Sequence, residues 1–278
     1  MLYLLLAIVS SAMISILMRL SERHISNNLT MLAANYLACT ILSALYAGSG
    51  LQITAADGLG DILLLGLISG ALFLASFVIY NRNVSVNGVV MSATFMKLGV
   101  LVPTAMSVFL FRETPGAGQI LGYVLALAAI ALIHFDNGAA KVQKKWLLLS
   151  LLLCGGLTDG MAKIFEQMGY PALKDLYLLS NFLVAFVLCV LLVVLKKQRF
   201  ALPELGFGLL LGIPNYFSSR FLLLSLQDIA AMVAYPTYSV GTIVFVTIVG
   251  MALFRERISR RKWLALALIA AALVLLNI

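Results

Sequence analysis

Ten apolar stretches follow one another through this chain of 278 residues, with only short gaps between them. A bilayer core requires about 20 apolar residues per helix, at about 1.5 Å rise per residue. The stretches run over 2–20, 29–47, 59–80, 84–110, 116–134, 146–168, 174–195, 203–225, 229–253 and 263–278. Their lengths predict ten spanning helices and leave no room for a soluble domain between them. The last is slightly short, so Lys262 and Trp263 are expected to anchor it at the interface. Hydrophobic residues make up 63% of the chain and charged residues 11%, where a soluble domain carries roughly a quarter charged. The expected fold class is therefore an all-α integral membrane protein. The first stretch, Leu2 to Leu20, lacks a basic leader and a small-residue cleavage pattern, so it reads as a spanning helix rather than a signal peptide.

A net charge of +8 could point to nucleic acid, but that reading requires basic residues clustered on a soluble face. Here they occupy the gaps between apolar stretches, as membrane topology places them. Cys39, Cys154 and Cys189 all lie inside apolar stretches without metal-like spacing, and two scattered histidines add no cluster. Neither metal, disulfide nor cofactor is expected.

The chain also repeats itself. Leu110-Phe111-Arg112-Glu113 recurs 143 positions later as Leu253-Phe254-Arg255-Glu256. Asp61 matches Glu204 at the same offset, Arg19 and Glu22 match Lys163 and Glu166 at 144, and Asn35-Tyr36 matches Asn181-Phe182 at 146. Drift of this size is what changes in loop length produce. The longest gap, 135–145, joins a first repeat over residues 1–137 to a second over 138–278. Five helices is an odd number, so the second repeat is expected to enter the membrane from the opposite side, as an inverted-topology repeat. Counting basic residues in alternate loops gives fourteen on one side and only Arg112 and Lys174 on the other. The positive-inside rule then puts the first set in the cytoplasm and both termini outside the inner membrane.

Two five-helix repeats, each with a Phe-Arg-Glu turn before its last helix, resemble the drug/metabolite transporter superfamily, specifically its ten-helix EamA-like branch. The residues carrying the resemblance are Phe111-Arg112-Glu113-Thr114-Pro115 with Gln119 and Gly122, and Phe254-Arg255-Glu256-Arg257. Ala265 departs from the pattern where the first repeat has Gly122. The resemblance covers essentially the whole chain. It implies a transporter with a substrate cavity between the repeats, lined by helices 1, 3, 4, 6, 8 and 9. It does not imply one substrate, because the family moves amino acids, nucleotide sugars, sugar phosphates and drugs.

Charged groups inside a spanning helix are costly and mark candidate sites. Lys97 sits about 13 residues into helix 4, roughly 20 Å along it. It reads either as a cavity cation for a carboxylate or phosphate or as half of a buried ion pair. Asp159 and Lys163 are four residues apart on helix 6, hence on one face, and read as an intrahelical pair, a substrate contact or a proton site. Arg220 follows Asn215-Tyr216-Phe217-Ser218-Ser219 near the end of helix 8. Its planar guanidinium suits bidentate recognition of an anion, against the alternative of snorkelling to the interface.

Helix 9 carries Tyr235 and Tyr238 around Pro236, and helix 4 carries Gly99 and Pro103 near Lys97. Both repeats thus break their fourth helix, and broken helices in corresponding positions point to a transport site with these residues as gates. Asn35 and Asn181 read as interhelical hydrogen-bond formers. The spacings Gly66/Gly70, Gly156/Gly160 and Gly208/Gly212 read as close-packing faces. Glu113 and Glu256 read as structural charges at the starts of helices 5 and 10.

Lys97, Lys163 and Arg220 against Asp159 sum to a positive site, which favours a substrate carrying a carboxylate or phosphate. The expected function is an alternating-access carrier for a small anionic or zwitterionic metabolite, with amino acids a natural candidate. The rival within the class is a proton-coupled exporter of cationic or aromatic drugs using Asp159, with the proton as coupling ion. Outside it stands a non-transporting assembly factor, whose helices would have no need for buried charge beside kinks. No enzyme is expected: His24 falls in a loop and His134 at a helix end, away from any hydrolytic constellation. The partners are a small molecule and the bilayer, and a monomer holds both halves of the inverted pair.

Overall fold

The computed structural model describes residues 1–21, 24–48, 58–87, 92, 95–96, 98–134, 144–254 and 260–276. These residues form helices without strands. In chain order the helices are α1 (Leu2–Ser21), α2 (Asn28–Gly48), α3 (Leu59–Asn87), α4 (Leu101–Phe109), α5 (Ala117–His134), α6 (Lys145–Gln167), α7 (Lys174–Leu195), α8 (Leu202–Ser225), α9 (Ala231–Phe254) and α10 (Arg260–Leu276). A single 3₁₀ turn, Pro171–Leu173, leads into α7. Among the described residues seven helices are long and apolar enough to cross a membrane: α1, α2, α3, α6, α7, α8 and α9. Leu2, Leu45, Leu64 and Val194 are exposed on their outsides, as lipid-facing surfaces require. The protein is a multi-pass, all-α membrane protein.

Helix ends follow local chemistry. The Gln119 side chain accepts from the amide of Gly116 at 3.1 Å, the return arm of a capping box at the start of α5. The largest departure from the expected boundaries is α3, which continues past residue 80 to Asn87. Polar residues that look like a loop in the sequence are here satisfied by backbone: Asn83 donates to the carbonyl of Leu147 at 2.6 Å. Asn87 in turn donates to Asn83 at 3.0 Å and accepts from the amide of Lys144 at 3.3 Å. Of the expected fourth helix, residues 84–87 end α3, residues 92, 95–96 and 98 are helical, and Leu101–Phe109 form α4.

The chain divides into two compact units, and each draws on both halves of the sequence. One comprises residues 2–74 and 164–224; the other comprises residues 75–163 and 225–278, with Met1. In the first, α2 packs along α7. A Cβ at Gly66 or Gly70 of α3 would run into Ser180, Asn181 and Val184 of α7. A Cβ at Gly208 or Gly212 of α8 would run into Met31, Ala34, Asn35 and Ala38 of α2. Asn181 and Asn35 therefore each lie against a pair of glycines, so the expected close-packing role of these spacings is what the unit uses. Tyr36, Phe182 and Tyr216 fill its interior.

In the second unit α5 packs along α10. Its core joins Ala126, Ala129 and Ile130 to Val240 of α9 and to Ile269 and Ala272 of α10. Gly156 of α6 brings its backbone against Gly99 and Val102, where any Cβ would collide.

Candidate functional site

Each unit holds a cation inside its helices, and each cation has a carboxylate that the sequence does not place beside it. In the first unit Arg220 rises from the penultimate turn of α8. Its Nη1 donates to Oδ1 of Asp175 and its Nη2 to Oδ2 at 3.4 Å, the planar fork gripping the carboxylate with two nitrogens. Nη1 also donates to the Tyr216 hydroxyl at 2.8 Å, one helical turn back. The guanidinium lies over the Tyr46 ring at 4.3 Å from its centroid, a cation–π stack. Asp175 sits in the first turn of α7, where the helix end favours negative charge. The arginine therefore folds inward onto its partners instead of snorkelling. It keeps 14% side-chain exposure and Asp175 keeps 19%.

An aromatic tract surrounds this pair. Tyr46 stacks on Tyr216 at 5.7 Å, Tyr216 meets Phe217 at 5.3 Å, and Phe217 stacks on Phe221 at 5.6 Å. One residue before Tyr216, the Asn215 amide donates to Asn35 at 3.2 Å, the interhelical bond expected of Asn35. Its repeat counterpart Asn181 leaves its side-chain oxygen without a partner among the described residues. The structure thus brings Asn215, Tyr216 and Arg220 together. It adds Asp175 and Tyr46, which lie near helix ends and give no signal by sequence spacing.

In the second unit Lys163 on α6 is buried, and its ammonium meets Glu113 at 2.8 Å. Glu113 comes from the segment between α4 and α5, a partner that spacing along α6 does not bring out. Arg112 adopts a left-handed backbone with φ 55°, which turns the chain so that the Glu113 amide donates to the Ser107 carbonyl at 3.0 Å. That turn aims the Glu113 side chain at Lys163 and at the amide of Ala231, 3.4 Å away at the start of α9. Glu113 precedes α5 by four residues, so it acts as an ion-pair partner rather than as a charge in that helix's first turn. Burial alone would raise its pKa. The hydrogen bond and charge of Lys163, with help from the Ala231 amide, outweigh that and hold the carboxyl below its ordinary value. The Phe111 ring lies 5.8 Å from the ammonium.

The Asp159 carbonyl accepts the Tyr235 hydroxyl at 2.7 Å, so α9 is tied to α6 at that level. Tyr235 is fully buried, and the Tyr238 carbonyl accepts from Thr242 at 2.7 Å. Gly99 and Val100 form a turn that separates α4 from the helical positions before it. Pro103 falls in the first turn of α4, where its missing N–H costs no helical hydrogen bond. Pro236 lies inside α9. Pro214, inside α8 beside Asn215, is a further helix-interior proline that the repeat comparison does not bring out. Lys97 lies outside the described residues, as do Arg255 and Glu256 of the second phrase.

Residues 177–269 match the model of the family described as Small Multidrug Resistance protein. They run from α7 into α10. Over 274 residues the chain is 25% identical to an uncharacterized protein of Haemophilus influenzae, covering 95% of the chain and 93% of that protein. Over 77 residues, 28% of the chain and 58% of the other protein, it is 39% identical to a probable 4-amino-4-deoxy-L-arabinose-phosphoundecaprenol flippase subunit ArnE of Pseudomonas fluorescens. A crystal structure of another protein shares the fold with a TM-score of 0.76 at 14% identity, covering 99% of this chain and 94% of that one.

Proposed function

We propose that this protein is a secondary transporter that carries a small anionic or zwitterionic metabolite across the inner membrane by alternating access between two inverted repeats. The observation that carries the reading is Arg220: a guanidinium inside a spanning helix, held flat by Tyr46 and Tyr216, and already gripping a carboxylate. A site built to hold one carboxylate with two nitrogens suits a carboxylate or phosphate far better than a lipophilic cation. The charge balance supports this less broadly than the sequence suggested, since Lys163 and Arg220 each have an acid partner. Substrate preference therefore rests on the geometry around Arg220 rather than on an excess of buried positive charge. The name of the Pseudomonas relative describes an amino- and phosphate-bearing sugar on a polyprenol carrier, a head group of the zwitterionic class proposed here. In this reading the breaks at Gly99–Pro103 and Pro236 are the gates, and both termini lie outside.

One observation favours a second reading, a proton-coupled exporter of cationic drugs with Asp159 as the proton site: the second repeat matches a drug-resistance family. A thermal-shift screen of the purified protein separates the two. Its panel is amino acids, sugar phosphates, nucleobases and cationic drugs at two pH values. A ligand at 100 times its Kd stabilises the folded state by about 2.7 kcal/mol, enough to move a melting curve. Stabilisation by acids or zwitterions that disappears in Arg220→Gln is the expected result. Stabilisation by cations alone, stronger at high pH and lost in Asp159→Asn, would replace it with the drug-exporter reading.

A further inference from the structure

We infer that Asp175 is an internal stand-in for the acidic group of the transported molecule, occupying the Arg220 fork in the empty carrier and giving way to the substrate on binding. This rests on the carrier reading above. The Lys163–Glu113 and Arg220–Asp175 pairs differ at their cations, and that contrast supports the inference. At Lys163 the cation side chain is only 3% exposed, and its ammonium is a point charge whose place is defined by the carboxylate it meets. The two acids are equally open, Glu113 at 20% and Asp175 at 19%, but the Arg220 side chain itself keeps 14% exposure and the overlying Tyr46 is 40% exposed.

The Arg220 fork also has supports that do not depend on Asp175. The Tyr216 hydroxyl fixes Nη1 at 2.8 Å and the Tyr46 ring fixes the guanidinium plane at 4.3 Å. If Asp175 left, the donors would keep their places, which is the condition for a second carboxylate or a phosphate to enter without rearrangement. Asp175 in turn has somewhere to go: it stays in the first turn of α7, where the helix end still favours its charge. The aromatic tract continuing from Tyr46 and Tyr216 through Phe217 and Phe221 to Tyr3 offers a surface for an apolar or ring-bearing body attached to that acid. The ligand class is thus an organic acid, either a carboxylate or a phosphate monoester, with an apolar portion. A soluble metabolite and the head group of a lipid both meet that description.

The test uses the full-length protein in detergent, with phenyl phosphate and benzoate as soluble probes, dihexanoyl phosphatidic acid as the lipid probe and benzamide as the uncharged control. In Asp175→Asn the internal competitor is gone. The acid probes should then bind about tenfold tighter than in the unmodified protein, as expected when a tethered ligand is removed. They should also restore the melting temperature that the substitution lowers, while benzamide does neither. The double variant Asp175→Leu with Arg220→Met should melt normally and ignore every probe. Preference for phenyl phosphate or for the phosphatidic acid then tells a soluble substrate from a lipid.

Unchanged or weaker acid binding in Asp175→Asn would overturn the inference and make the pair purely structural. An Asp175→Asn protein that fails to fold even with the acid probes present would do the same. Proteoliposome transport keeps this apart from the carrier reading. Arg220-dependent transport without tighter binding in Asp175→Asn sinks the stand-in alone. Tighter binding with no movement of any probe across the membrane sinks the carrier.

Discussion

At the scale of single residues, the protein stabilises buried charge by neutralising it, and Lys163 with Glu113 is the case where this weighs most. Breaking a buried pair from one side costs about 3–5 kcal/mol, because the remaining charge stays buried with less compensation. Glu113→Gln should therefore lower the melting temperature sharply, whereas Lys163→Met together with Glu113→Leu should recover most of the loss; differential scanning calorimetry of the three proteins checks this. The same pair sets an acid limit. Because the folded-state pKa of Glu113 lies below the ordinary 4.5, its contribution is complete above that pH and is lost as pH falls through the lower folded value. Melting temperature plotted against pH should fall on the acid side of 4.5 in the unmodified protein, and Glu113→Gln should lack that part of the fall. Arg220 and Asn215 stand out in the sequence, because a polar side chain in an apolar stretch is visible by contrast. Their partners do not. Asp175 lies 45 residues from Arg220 beside a basic residue at a helix start. Glu113 is reached from Lys163 only because Arg112 turns the backbone left-handed. Which acid meets which cation is decided by tertiary approach, and no local spacing encodes it.

At the scale of elements, the spanning helices are legible because the bilayer imposes a length on them, and their contact faces are legible because close approach demands glycine. The neighbours Gly155 and Gly156 make a sharp comparison on one helix. A Cβ at Gly156 would collide with the Gly99 carbonyl and with Val102, while a Cβ at Gly155 meets nothing within 4 Å. Gly156→Ala should destabilise by about 1–3 kcal/mol, the usual cost of overpacking, and loosen the contact between α6 and the break ahead of α4. Gly155→Ala should be neutral, or stabilising by up to about 1 kcal/mol through helix propensity. Denaturation midpoints of the two variants decide it. The end of α3 was not legible for the opposite reason. Asn83 and Asn87 carry the polarity of a loop, yet the backbone at Lys144 and Leu147 supplies the partners that allow the helix to continue.

At the scale of the whole molecule, the count of ten helices and the bias of basic residues predict both termini outside. A reporter active only outside the cytoplasm, fused after Ile278, should be active, and a cytoplasmic fluorescent reporter at the same place should stay dark. The reverse pattern would mean an odd number of crossings before the C-terminus or an inverted insertion. The membership of the two compact units bears on biogenesis. α2 packs against α7 and α8, and α5 against α9 and α10, all of which are synthesised much later. At about 5–20 residues per second, the roughly 145 residues separating such partners take on the order of 7–30 seconds to synthesise. During that time helices that will end up buried must be sheltered by lipid or by the insertion machinery. A ribosome stalled midway would leave in the membrane a set of helices in which α2 and α5 both still lack their partners. Supplying the second half as a separate chain should rescue it.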